Sequence, residues 1–337
     1  MYKRISLLLI AFFVFACEDD DPTKPINITP VINSIKPSYG SVYQEVTISG
    51  KRFGSSQGKS KVSFNSTDAE EYNIWNNTGI KVIVPIGATT GMVSVTVKDQ
   101  VSNEVYFPVN LNCEILGKDY SENTFSLLLY DMNLLELPDC VGNLTKLIEL
   151  HLANNLLTTL PESIGNLTIL SMLYAWKNQL TSLPESIGNL TKLRILSLSY
   201  NKLTILPESI GNLTNLRDLP LRENQLSTLP QSIGNLTKLE YLRLNNNLLT
   251  TLPESIGNLP YLTVLELRSN QLTTLPESIG NLTNLASLDL DSNQLTTLPE
   301  SIRNLTKLWY LYLRGNNFSE TEKAKIESWL PKCIIQW

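Results

Sequence analysis

Residues 147–169 read L-I-E-L-H-L-A-N-N-L-L-T-T-L-P-E-S-I-G-N-L-T-I, and this frame returns every 23 residues. Its P-x-x-[IV]-[GR]-N-L segment starts at Pro138, Pro161, Pro184, Pro207, Pro230, Pro253, Pro276 and Pro299. Counting Leu147 as unit position 1, leucine-type residues fall at positions 1, 4, 6, 11, 14, 18 and 21. The alternation at Leu150 and Leu152 sends positions 4 and 6 to one face of a short strand and positions 3, 5 and 7 to the other. A fixed period of this length marks a solenoid, because one unit cannot bury its apolar face alone and must stack on its neighbours.

Asn155, Asn178, Asn201, Asn224, Asn247, Asn270, Asn293 and Asn316 all occupy unit position 9, where the strand bends toward the interior. A side-chain amide there can both donate to and accept from the backbone of adjacent turns, replacing bonds that the bend removes. The proline at position 15 suits the first position of a helical turn, where its missing N–H costs nothing. Over residues 124–317 the frame resembles the leucine-rich repeats of the Ras-group type, found in plant intracellular proteins and Ras-binding scaffolds. That resemblance implies a right-handed α/β solenoid with strands on its concave side and turns on its convex side. The first unit departs from the frame, with Thr124 for the leading leucine and Met132 for the ladder asparagine, and Arg303 replaces the usual glycine in the last turn.

The chain of 337 residues is 42% hydrophobic and 18% charged, which fits folded protein of more than one domain. Its start, Met1-Tyr2-Lys3-Arg4 followed by an apolar run from Ile5 to Phe15, reads as an export signal too short to span a bilayer. Val14-Phe15-Ala16-Cys17 resembles the cleavage site of bacterial lipoproteins, which implies a signal peptide over residues 1–16 and lipid on Cys17. The alternative is a plain secretory signal with an incidental cysteine. Glu18-Asp19-Asp20-Asp21 opens an acidic segment, residues 17–30, that resembles the surface-export signal of some Gram-negative lipoproteins or serves only as a solvated tether. An outer-membrane, surface-exposed location is the expectation.

Without residues 1–16 the chain keeps 25 basic against 32 acidic side chains, so nothing draws it generally to nucleic acid. Cys113, Cys140 and Cys333 remain beyond the anchor. Cys113 and Cys140 flank the first repeat and are predicted to form a disulfide in the solenoid's N-terminal cap, residues 111–123.

Residues 31–110 change character to short alternating runs separated by glycine and asparagine, such as Val46-Thr47-Ile48 and Val93-Ser94-Val95-Thr96-Val97, as in a small β-sandwich. The order I-x-x-I-x-P-x-x-G at Ile32–Gly40, V-T-I-x-G-x-x-F-G at Val46–Gly54, then Trp75, Val84-Pro85 and Ser102-Asn103 resembles an IPT/TIG domain. The resemblance implies an immunoglobulin-like fold. In that family the module binds DNA in some transcription factors and spaces domains in many surface proteins, and Lys59, Lys61 and Lys81 make no basic stripe.

His151 is the one histidine of the chain, so neither a metal site nor a catalytic triad can be assembled around a second, and no cofactor is implied. Glu266, Asp289 and Asp291 lie on neighbouring strands and leave open acid–base hydrolysis or a calcium site. Beyond the repeats, Ser319-Glu320-Thr321-Glu322 fits a capping box and opens a helix in residues 318–337 that closes the last turn. Comparing the repeats with one another shows where variation is concentrated: positions 2, 3, 5, 7 and 8 change freely while the L-P-E-S-I-G-N-L-T half hardly does. Tyr130, Tyr174, Trp176, Tyr200, Arg222, Tyr241, Arg243 and Arg268 are therefore the expected contact patch, since aromatics and arginine dominate interface energies. A protein ligand is the leading expectation for this face, and a glycan of a polysaccharide uptake system is the alternative.

Overall fold

The computed structural model describes residues 28–110 and 112–337, so the export signal and Cys17 lie outside the described residues. The N-terminal domain packs one sheet ordered Val31–Lys36, Glu45–Lys51, Gly79–Ile83, Tyr72–Asn76 against a second ordered Val105–Phe107, Gly91–Val97, Lys61–Phe64, Thr67–Asp68. Alternation along each strand turns Val46, Ile48, Val62, Phe64, Ile80, Val82 and Val95 inward, where they are fully enclosed. Phe64 and Phe107 meet edge to face at 5.6 Å. Trp75 is half-buried against this core and donates from Nε1 to the Phe53 carbonyl at 2.7 Å.

The repeats form one parallel sheet of ten strands, from Ser126–Leu128 through Glu149–His151, Met172–Tyr174 and onward to Tyr310–Tyr312 and Ile334–Gln336. Register is set by the period: Leu150 pairs with Leu173, Leu173 with Leu196, and so on along the stack. Positions 1, 4, 6, 11, 14, 18 and 21 fill the interior, as Leu147, Leu150, Leu152, Leu157, Leu160, Ile164 and Leu167 do in one unit. On the convex side each unit makes a five-residue 3-10 turn, such as Glu162–Asn166, and the proline stands one residue before it in extended conformation. The N–H of Ile164 then donates to the Pro161 carbonyl at 3.0 Å. The α-helix among the described residues is the cap Glu320–Trp329, whose first turn donates from Glu322 N–H to Ser319 Oγ at 3.2 Å. After it the chain adds Ile334–Gln336 to the sheet as a tenth strand, which the repeat frame gave no sign of.

Two columns lock the units together. Asn155 Oδ1 accepts from the N–H groups of Met132 and Leu134, both at 3.0 Å, and its amide donates to the carbonyls of Leu129 at 2.6 Å and Leu152 at 2.9 Å. Each later asparagine accepts one N–H, that of position 11 in the unit before it, and donates to the equivalent pair of carbonyls, as Asn178 does with the Leu157 N–H and the Leu152 and Ala175 carbonyls. The first unit, with no earlier turn to hold, has no use for one and carries Met132. On the convex side the glycine at position 19 faces the serine at position 17 of the next unit: a Cβ on Gly211 would lie 2.6 Å from both the Cβ and the carbonyl oxygen of Ser232. Arg303 is tolerated because no further serine follows it. At the opposite end the serine position is Cys140, bonded to Cys113 with 5.1 Å between their Cα atoms, and the sulfur fills the place of a preceding turn.

The sandwich sits against the convex side of the first turns. Asn166 Nδ2 donates to Tyr43 Oη at 2.7 Å. Ser163 and Asn166 are more enclosed than Ser186 and Asn189, although both pairs belong to the same E-S-I-G-N turn. Tyr43 has its pKa pushed up by burial at this junction.

Candidate binding face

Positions 3, 5 and 7 stand outward on the concave sheet, and the repeat period stacks each position into a column with neighbours about 4.8 Å apart. Three regions follow one another along it. At the N-terminal end Leu128, His151 and Tyr174 succeed one another at position 5, with His151 stacked on Tyr174 at 4.6 Å between ring centres. Burial raises the Tyr174 pKa, and its hydroxyl reaches Met172 Sδ at 3.3 Å. Tyr130 and Trp176 stand beside this stack at position 7, both exposed, and Lys177 Nζ lies 5.3 Å from the Trp176 ring.

The small side chains Ser197, Ser199 and Pro220 come next, and the proline, lacking an N–H, shortens the ladder between its strand and the one before. Beyond them the arginines are already engaged. Arg222 Nε donates to Glu266 Oε2 at 3.0 Å and the Nη2 of the same guanidinium contacts that oxygen as well. Arg243 pairs with Asp218 and lies 3.8 Å from Glu266 Oε1, while its guanidinium sits 5.1 Å over the Tyr241 ring. Asn245 Nδ2 completes the shell of Glu266 at 2.8 Å. Burial raises the Asp218 pKa against the pull of Arg243. These charges satisfy one another, so Arg222, Tyr241 and Arg243 form an internal network and not a set of free contact groups. Arg268 differs: it is exposed, and no ion pair or side-chain hydrogen bond engages its guanidinium among the described residues.

The carboxylates toward the C-terminal end do not converge into an acid–base pair. Glu266 is held by two arginines, and Asp291, whose side chain is only 4% exposed, accepts from the Arg314 N–H at 2.8 Å and pairs with its guanidinium at 2.7 Å. Asp289 is the half-buried carboxyl left over, and desolvation raises its pKa. Among the described residues no cluster of His, Cys, Asp and Glu could hold a metal ion. Tyr200 stands apart from the predicted patch. It is at position 8, where the whole column from Asp131 to Gly315 is left-handed (φ 58° at Tyr200), one step past the outward alternation at the rim of the sheet.

Sequence reasoning overlooked Asp218, which pairs with Arg243, and Asn245, which donates to Glu266, although the columns place them in consecutive units. No helix among the described residues is long and apolar enough to cross a membrane.

Residues 135–229, 184–270 and 224–327 match the family described as leucine-rich repeat region, and residues 30–109 match the IPT/TIG domain. No curated protein matches the chain. Among solved structures, a leucine-rich-repeat protein of Leptospira interrogans is 37% identical with a TM-score of 0.52, the match covering 63% of this chain and 60% of that one. An internalin, inlF, of Listeria monocytogenes is 26% identical with a TM-score of 0.53, over 64% of this chain and 61% of that one. A chain in a complex of latrophilin 3, Unc5D and the repeats of FLRT2 is 25% identical with a TM-score of 0.53, over 64% of this chain and 70% of its own. The chain thus spans less than two thirds of the Leptospira protein and of the internalin.

Proposed function

Because the chain belongs to the leucine-rich-repeat family and carries an IPT/TIG domain ahead of its repeats, we propose that it is a surface binding protein, lipid-anchored through Cys17, whose concave face holds a protein partner. The observation that carries this reading is the exposed aromatic end of the concave sheet, where Tyr130 and Trp176 flank the His151–Tyr174 stack outside the arginine–carboxylate network of the middle strands. Rigid aromatics of this kind supply contact area at low entropic cost. Arg268 adds an exposed guanidinium farther along, in no ion pair or side-chain hydrogen bond among the described residues. The Arg222–Glu266–Arg243–Asp218 network gives the middle of the face a fixed pattern of charge that selects a partner more than it attracts one. The repeats of FLRT2 occur in a complex with two other proteins, which fits a partner of the same class here. In this reading the sandwich, seated on the convex side, sets the solenoid off from its anchor and leaves the concave side open.

A photo-crosslinking residue at Trp176, compared with one at the convex residue Asn212 on intact cells, tests the proposal. Crosslinks to a protein are expected from position 176 and not from position 212, and Trp176→Ala should weaken the recovered partner about 30-fold, the loss of about 2 kcal/mol usual for a central aromatic. Equal crosslinking from both positions, or capture of polysaccharide alone, would overturn it. Protease shaving of the same cells tests the location, with loss of the intact chain expected.

A further inference from the structure

We propose that the N-terminal end of the solenoid carries a second docking surface, separate from the concave face, for a basic segment of a partner protein in which lysine or arginine alternates with apolar residues. In the first unit the frame L-T-T-L-P becomes Leu134-Leu135-Glu136-Leu137-Pro138. Position 12 is threonine or serine in the seven units that follow, from Thr158 to Thr296, and here it is Leu135. This leucine is 71% exposed, so the change serves no interior. Leu116, at the tip of the cap hairpin Cys113–Ile115/Lys118–Tyr120, is 62% exposed and held at φ 53°, a conformation that disfavours a branched side chain. Leu116 and Leu135 line one depression of about 360 Å³ together with Pro138, and Glu114 and Glu136 stand in its wall.

The acids identify the occupant. Glu114 lies directly opposite Asp119 across the hairpin, a like-charge pairing that a cap serving only to close the stack would avoid. None of Glu114, Asp119 and Glu136 has an ion-pair partner among the described residues, and Lys118, the cation of the hairpin, is directed to the Tyr120 ring at 5.0 Å. A second copy of the chain would bring the same carboxylates against one another, and nucleic acid would be repelled. A basic segment relieves the Glu114–Asp119 repulsion while its apolar residues cover Leu116 and Leu135. The Cys113–Cys140 bond ties the hairpin to the first turn, so the surface is formed in advance of binding.

Fluorescence anisotropy of a labelled peptide alternating lysine and leucine, titrated with the full chain, tests this. The double variant Leu135→Thr, Glu136→Thr installs residues that later units carry, which protects folding, and is expected to weaken binding at least tenfold. Glu185→Gln removes one acid on the convex side and Trp176→Ala alters the concave face; each should change affinity less than twofold. A peptide with glutamate for lysine should not bind. The proposal is overturned if the lysine peptide fails to bind the wild-type chain, if the double variant binds as well as wild type, or if sedimentation shows a self-association that the double variant abolishes.

Discussion

Substituting Gly211 by alanine places a methyl group in the joint between two units. The new Cβ would stand 2.6 Å from the carbonyl oxygen and from the Cβ of Ser232, and 3.2 Å from Asn235 Nδ2. Reaching ordinary contact of about 3.5 Å requires the turns to separate by roughly 1 Å, against a strand spacing of about 4.8 Å that ladder bonds hold fixed on the other side. Overpacking costs about 1–3 kcal/mol, and the upper end applies because the obstacle is backbone and cannot rotate away. Gly211 is not left-handed, so alanine also gains about 0.4–1 kcal/mol by restricting the unfolded chain. The net expectation is a loss of about 2 kcal/mol in urea unfolding followed by circular dichroism. Arg303→Ala occupies the same unit position without a following serine and should stay within about 0.5 kcal/mol. If Gly211→Ala is equally silent, the Gly–Ser joint does not set the spacing of the units.

Asn224→Ala removes the acceptor of the Leu203 N–H at 3.0 Å and the donors to the carbonyls of Leu198 and Leu221, and should cost about 2–4 kcal/mol by thermal or urea unfolding. Ser255→Ala should instead stabilise by about 1 kcal/mol, since the Ser255 hydroxyl is buried without a hydrogen-bond partner among the described residues, and any clear loss would reveal one. Replacing Cys113 and Cys140 together by serine opens a bridge of sequence separation 27 and should cost about 3.5 kcal/mol on the loop-entropy scale, with fraying detected first by hydrogen exchange in the cap. Asp289 has its folded pKa raised by burial, so the folded chain holds its proton longer than the unfolded one and stability falls as pH rises through that window, above the ordinary aspartate range. Asp289→Asn should remove this slope and raise the melting temperature at neutral pH; an unchanged profile would refute the assignment.

The fold could be read from the sequence because a 23-residue period specifies register, interior and face together. Leu150 and Leu173 pair because they occupy the same unit position, and the asparagine column follows from the same arithmetic. What the period could not convey is how long side chains choose among neighbours. Arg222 reaches across two units to Glu266, while Arg243 turns back one unit to Asp218, and both choices depend on rotamers that the columns leave open. The left-handed backbone at Tyr200 was partly hidden, since Lys177 and Glu223 adopt it too, and its signal lay elsewhere in the column, in Asp131, Asn154, Asn246 and Gly315. The tenth strand was missed because Ile334-Ile335-Gln336 lies past the last repeat, where no frame applies. Leu135 and Glu136, in contrast, stood in plain view as departures from L-T-T-L.

The uniform joints between internal units carry an evolutionary consequence. Every glycine from Gly165 to Gly280 meets a serine, and every asparagine from Asn178 to Asn293 meets the same backbone atoms of the unit before it. Excising or duplicating one whole unit would therefore recreate, at the new seam, a junction identical to those already present. Recombination between the near-identical coding segments can lengthen or shorten the recognition surface in steps of about 4.8 Å without passing through an unfolded intermediate sequence.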